Sequence, residues 1–130
     1  MKKFFIPLIM AMAIPLQSLA PADPEVITKE DGMTVINTAK LGREVVGYVG
    51  ATPLKIYIKK NKVEKIEVLK NQETPKYMNR IKQELLGKWN GKKVSEAAKM
   101  EVDGLTGATL TSNAVKQNVK LGLEYYLKNK

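Results

Sequence analysis

A chain of 130 residues is long enough for one domain and scarcely for two. It has neither cysteine nor histidine, which excludes disulfides, iron–sulfur clusters, thiolate zinc sites and histidine-based acid–base or haem chemistry. Its 22 basic and 13 acidic residues give a net charge of +9, but Arg43 and Arg80 are the only arginines and the lysines are scattered among acids. That pattern argues against nucleic acid, where clustered arginines make the bidentate contacts. It leaves two readings: a solvated lysine-rich surface, or attraction to anionic lipid and acidic partners.

Residues 1–20 read as an export signal. Lys2 and Lys3 precede an apolar run from Phe4 to Leu16, and Gln17-Ser18-Leu19-Ala20 places small residues at the cleavage positions. Pro7 and Pro15 interrupt the run, which is also short for a bilayer, so cleavage near Ala20 is favoured over a retained membrane anchor. The expected product is exported, periplasmic or at the cell surface. Residues 21–32, with two prolines, four acids and a glycine, read as a linker, and residues 33–130 as the domain.

From Met33 the pattern is strand-like, with Val35 and Ile36 in a short β-branched run and Glu44 to Val49 as a second candidate strand. Leu54, Ile56 and Ile58 alternate with polar residues, Lys60-Asn61-Lys62 supplies a turn, and Val63 to Leu69 resumes the pattern with Ile66 and Val68 on one face, which predicts a β-hairpin. At Thr74 the period changes. Thr74 suits an N-cap, Pro75 a first helical position, and Tyr77 or Met78, Ile81 and Leu85 follow at helical spacing to a stop at Gly87. A short helix is expected within Val94 to Met100. The last element is an amphipathic helix on Val115, Val119, Leu123 and Tyr126 that runs to about Leu127. The class is α+β: an antiparallel β-sheet with helices packed against one side and a C-terminal amphipathic helix.

The chemistry lies in Asp103-Gly104-Leu105-Thr106-Gly107-Ala108-Thr109-Leu110-Thr111-Ser112, a loop of small and hydroxylated residues opening onto that last helix. A helix N-terminus presents free N–H groups and a partial positive charge, so it favours a phosphate; an ordinary capped helix is the plainer alternative. Thr111 or Ser112 is suited to cap it, and Gly107 and Ala108 leave room for a bulky group near the backbone. The segment is not a P-loop, since no lysine follows the glycines, and it is not a serine-hydrolase elbow. No catalytic acid–base pair and no metal cluster is legible.

Residues 103–112 (DGLTGATLTS) closely resemble the flavinylation motif of the FMN-binding domain family, which includes the covalent-FMN subunits of sodium-pumping NADH:quinone oxidoreductase and of the Rnf complex. The resemblance implies that Thr109 is the attachment point. It also implies that Asp103, Thr106, Gly107, Ala108, Leu110, Thr111 and Ser112 form the cofactor-binding motif. An exported ApbE-type flavin transferase, using FAD and magnesium, would then join FMN to the Thr109 hydroxyl as a phosphoester and release AMP. Asp103 would help engage the transferase and its metal, or else hydrogen-bond within its loop. The similarity extends upstream. Gly47-Tyr48-Val49-Gly50 looks like the glycine-aromatic segment that opens the family's domain, and Asn71-Gln72-Glu73-Thr74-Pro75 resembles a family segment near the isoalloxazine ring. The match runs from about Gly47 to Val119. One departure stands out: Lys76-Tyr77-Met78 follows Pro75 where the family has Gly-Leu-Gly. Tyr48, Tyr77 and Trp89 are candidates for the wall beside the ring, or plain core residues.

The resemblance therefore implies an electron carrier with covalent FMN, rather than a self-sufficient enzyme, serving a membrane or extracytoplasmic redox partner and no nucleic acid. Two alternatives stand beside it: a noncovalent FMN-binding sensor or regulatory module, and a cofactor-free basic docking domain.

Overall fold

The computed structural model describes residues 23–130, so the leader read at residues 1–20 lies outside the described residues. Four strands form one antiparallel sheet in sequence order: β1 (Ile27–Glu30), β2 (Met33–Asn37), β3 (Leu54–Lys59) and β4 (Lys62–Val68). The predicted hairpin is β3–β4. Lys60 and Asn61 both adopt positive φ, 53° and 64°, and Lys59 pairs with Lys62, giving a two-residue turn whose twist matches the strands it joins. Between β3 and β4 the register shifts after Tyr57. Ile58 faces Val63 while Tyr57 faces Lys65, so Glu64 is the extra residue of a bulge. The bulge puts Val63 and Ile66, which an unbroken strand would send to opposite faces, on the same buried side.

Two sequence expectations are corrected. The segment read as a linker, residues 21–32, supplies β1, because Asp31-Gly32 is itself a hairpin turn with φ 50° and 78° and Ile27 pairs with Ile36. Conversely, Glu44 to Val49 is not a strand. It folds back on itself at an isolated Val46–Ala51 bridge, closed by the Gly47 N–H donating to the Gly50 carbonyl at 2.8 Å.

The helical half begins with α1 (Pro75–Arg80), continues as a π-turn over Ile81–Leu85 and tightens into a 3₁₀ turn over Leu86–Trp89. The winding therefore passes through Gly87 instead of stopping there. The change of pitch lets the consecutive Leu85 and Leu86, as well as Ile81 and Trp89, all face the core. A short α2 (Val94–Ala97) precedes α3 (Thr109–Asn129), whose predicted stripe of Val115, Val119, Leu123 and Tyr126 is buried.

Helix α3 lies across β2 and β3. Its closest approach is at Gly122, where an added Cβ would sit 2.6 Å from Ile56 Cδ1 and 3.0 Å from Thr38 Cγ2. Near its C-terminal end the Tyr126 hydroxyl donates to Asn61 Oδ1 at 2.5 Å, tying the helix to the β3–β4 turn. Gly122→Val should therefore prise α3 from the sheet and lower unfolding free energy by about 2–3 kcal/mol, measured by urea denaturation, despite valine's better helix propensity.

Candidate functional site

The loop before α3 is shaped by its own small residues. Leu105 and Ala108 are buried, the Leu105 N–H donates to Ser112 Oγ at 3.0 Å, and the Ala108 N–H donates to the Leu105 carbonyl at 3.0 Å. Gly107 takes φ +86°, a left-handed conformation that a side chain would strain. The Arg80 guanidinium, through Nη1, donates to the Thr106 carbonyl at 2.5 Å and fastens this loop to the end of α1. Arg80 is a residue of the site that sequence reasoning missed, because nothing in its local pattern marks a partner 26 positions away.

The helix starts at Thr109, with Ala108 in the N-cap position and no side-chain cap. Neither Thr111 nor Ser112 caps it, contrary to expectation. Both lie inside the first turn, fully buried, with their hydroxyls used elsewhere. Thr109 and Leu110 are exposed, as are Asp103, Thr106 and Gly107. The Ser112 N–H donates to the Ala108 carbonyl at 2.9 Å, whereas the N–H groups of the exposed Thr109 and Leu110 are left to solvent or to a ligand, in the positive field of a 21-residue helix.

Behind this turn lies Glu73, 5% exposed. Its carboxylate accepts the Thr111 hydroxyl at 2.6 Å and the backbone N–H groups of Tyr48, Val49 and Gly50 at 2.7, 2.6 and 2.9 Å. Asn71 prepares it: its Oδ1 accepts the Glu73 N–H at 2.9 Å and its Nδ2 donates to the Leu69 carbonyl at 2.9 Å. Burial alone pushes the Glu73 carboxyl up, but the Thr111 hydroxyl and the three N–H groups together outweigh it and hold the group below its ordinary value. Gly47 permits the wrap, since a Cβ there would lie 2.4 Å from Glu73 Oε1. Thr74 opens α1 through its carbonyl, which accepts the N–H groups of Tyr77 and Met78 at 3.0 Å, and its hydroxyl does not cap.

These contacts assemble a cavity of about 250 Å³ lined by Tyr48, Tyr77, Gly107, Ala108, Thr109, Leu110 and Thr111. Tyr48 and Tyr77 meet edge to face, ring centroids 5.9 Å apart. Of the three candidate wall aromatics, these two line the cavity. Trp89 does not: it is 3% exposed, packed in the core, and borders a separate cleft of about 340 Å³ with Lys99, Lys116 and Lys120. That cleft is larger, but apart from Trp89 its lining contains none of the predicted site residues.

The residues present suit a phosphorylated planar ligand. An exposed hydroxyl stands at an uncapped helix start, a left-handed glycine keeps the approach open, and two tyrosines form a wall. Glu73→Gln would retain the size of the side chain but set an amide against three N–H donors. It should lower stability by about 2–4 kcal/mol at pH 7. Because the folded carboxyl titrates below its ordinary value of 4.5, its contribution is present above that pH and lost as pH falls further. The gap between the two proteins should therefore close in urea denaturation series taken below about pH 4.5.

Comparison with known protein families adds one finding. Residues 47–124 match the family model of the FMN-binding domain, a span that runs from the Gly47–Gly50 turn through Glu73 and the 103–112 loop into α3. Comparisons with curated proteins and with solved structures give no match. On the family match, which takes in more than half of its length, the chain belongs to the FMN-binding domain family.

Proposed function

We propose that this FMN-binding domain carries its flavin covalently, as a phosphoester on the Thr109 hydroxyl, and works as an exported electron carrier. The observation that carries this reading is the setting of Thr109: exposed, first in an uncapped helix, and lining the cavity with Tyr48 and Tyr77. The chain has no histidine, the usual base for activating such a hydroxyl, so attachment falls to a separate ApbE-type flavin transferase that takes FMN from FAD. The exposed hydroxyl is what such an enzyme needs to reach.

The chain's own residues then bind and orient. N–H groups of the first turn of α3 hold the phosphate, aided by the helix dipole. Tyr48, Tyr77 and Leu110 flank the ring. Glu73, Thr111 and Arg80 fix the two loops that carry those groups. Thr74 sets the start of α1 that brings Tyr77 to the cavity. Asp103, exposed at the entrance to the motif, is available to the transferase and its magnesium. Bound FMN supplies the electron-accepting chemistry, and the protein supplies orientation and electrostatics. At about 250 Å³ the cavity is smaller than the roughly 300–1,000 Å³ of pockets that enclose a ligand, so a ring seated there keeps an exposed edge for a redox partner.

Co-expression with a flavin transferase followed by intact-mass measurement tests the reading. The expected result is a gain of one FMN less one water in the wild type and none in Thr109→Ala. Flavin that leaves the wild-type protein on denaturing dialysis would point to noncovalent binding instead. No flavin at all, beside an active transferase, would overturn both.

A further inference from the structure

The end of the molecule opposite the cavity is a lysine pole. Helix α3 is 21 residues long, so its two ends are roughly 30 Å apart. At its C-terminal end three separate segments converge. The β3–β4 turn brings Lys59, Lys60 and Lys62; the stretch before α2 brings Lys92 and Lys93; and Lys130 follows the last residue of α3. Their meeting is fixed by backbone. Lys62 and Lys93 form an isolated β-bridge, the Val63 N–H donates to the Lys92 carbonyl at 2.9 Å, and the Val94 N–H donates to the Asn61 carbonyl at 2.9 Å. The Tyr126 hydroxyl bond to Asn61 locks α3 into the same group. Lys60, Lys62, Lys93 and Lys130 border one cleft of about 330 Å³, and Lys59, Lys60 and Lys62 border a neighbouring one.

Among the described residues the ion pairs are made by Lys40, Lys55, Lys65 and Arg80, and none by these six lysines. The one acid lining the two clefts is Glu64, the exposed bulge residue. Six lysines without an ion pair, held together by the contacts between these three segments, repel one another, so a partner that neutralises them is favoured.

We infer that this pole docks the domain on an anionic lipid bilayer. Lysine is a compact point charge on a flexible stem, able to reach a diffuse field of headgroups, whereas bidentate recognition of particular carboxylates or phosphates calls for arginine, which the pole lacks. No described helix is long and apolar enough to cross a membrane. Docked this way, α3 stands its cavity end away from the lipid surface, open to other proteins.

The test is co-sedimentation of the purified protein with vesicles of phosphatidylcholine alone or with one third phosphatidylglycerol, at low salt and at 0.5 M salt. Two triple variants with the same loss of charge are compared: Lys60→Gln/Lys62→Gln/Lys93→Gln at the pole, and Lys99→Gln/Lys116→Gln/Lys120→Gln beside α3. Circular dichroism checks that both fold. Binding should require the anionic lipid and fall with salt. It should drop about 100-fold in the pole variant, at roughly fivefold per lysine near the surface, and much less in the other. Failure of the wild type to bind anionic vesicles would overturn the inference and leave an acidic protein as the partner. Equal losses in the two variants would also overturn it, since net charge alone would then account for binding. Thr109→Ala should bind like the wild type, so the outcome is independent of flavin attachment.

Discussion

The carboxylate of Glu73 is the point on which the site depends. Three segments far apart in sequence meet at it: the Gly47–Gly50 turn, the residues leading into α1, and the first turn of α3. A buried charge with no partner would be costly enough to drive the group neutral. Among the described residues no cation pairs with it; four hydrogen-bond donors, three of them consecutive backbone N–H groups, keep the carboxylate ionised instead. The same contacts explain why a valine- and tyrosine-containing run that reads as a strand is a turn. N–H groups that would have entered a sheet ladder are aimed at one carboxylate, and Gly47 gives the backbone the clearance to do so.

That turn has to be delivered to Glu73, and a buried polar set along α3 delivers it. The connection from β2 to β3 leaves the sheet at Thr38, whose Oγ1 accepts the Leu54 N–H at 2.9 Å, and runs past α3. Asn118 on α3 donates through Nδ2 to Thr52 Oγ1 and to the Ala114 carbonyl, both at 3.0 Å. Gly42 lies so close that a Cβ would fall 1.9 Å from Asn118 Oδ1. Thr38, Thr52 and Asn118 are all fully buried, so the connection is anchored at both ends by polar groups that have few other partners. The helix that begins at the candidate attachment residue is thus also the post against which the Tyr48 loop is braced.

Sequence periodicity was enough for the elements that bury an apolar face. The β3–β4 hairpin and the stripe of α3 follow from spacing, since their apolar side chains need only find the core, and the start at Pro75 follows from the Thr74-Pro75 pair itself. It failed where a long-range polar contact replaced the local rule. Glu44 to Val49 has the valines and tyrosine of a strand, but Glu73 takes the N–H groups of Tyr48 and Val49. Thr111 and Ser112 are good capping residues by type, but their hydroxyls serve Glu73 and Leu105. The Asp31-Gly32 turn was a fair hairpin signal, hidden by the acids and prolines around it. For the site, the loop at 103–112 stood out by its small and hydroxylated residues before a helix, its link to a flavin and the segments at Tyr48 and Glu73 were visible only through family resemblance, and the structure brings all three into contact. Arg80 and the Tyr48–Tyr77 pair depend on tertiary placement, for which a single sequence carries no local mark.

The exposed surface repeats this concentration. Among the described residues the large hydrophobic side chains left exposed are Val46, Tyr48, Val49 and Leu110. Isolated exposed hydrophobics are ordinary, but these come from two segments only, the turn held by Glu73 and the first turn of α3. If the turn existed merely to close the β2–β3 connection, polar residues would serve it better, because water would solvate them at no cost. Apolar side chains held there by a charged clamp suit the planar ring of a flavin. The position of Glu73 follows from the same need. Its charge is spent inward on N–H groups and a hydroxyl, so it adds no free charge to the cavity wall that Tyr48, Tyr77 and Leu110 help to form.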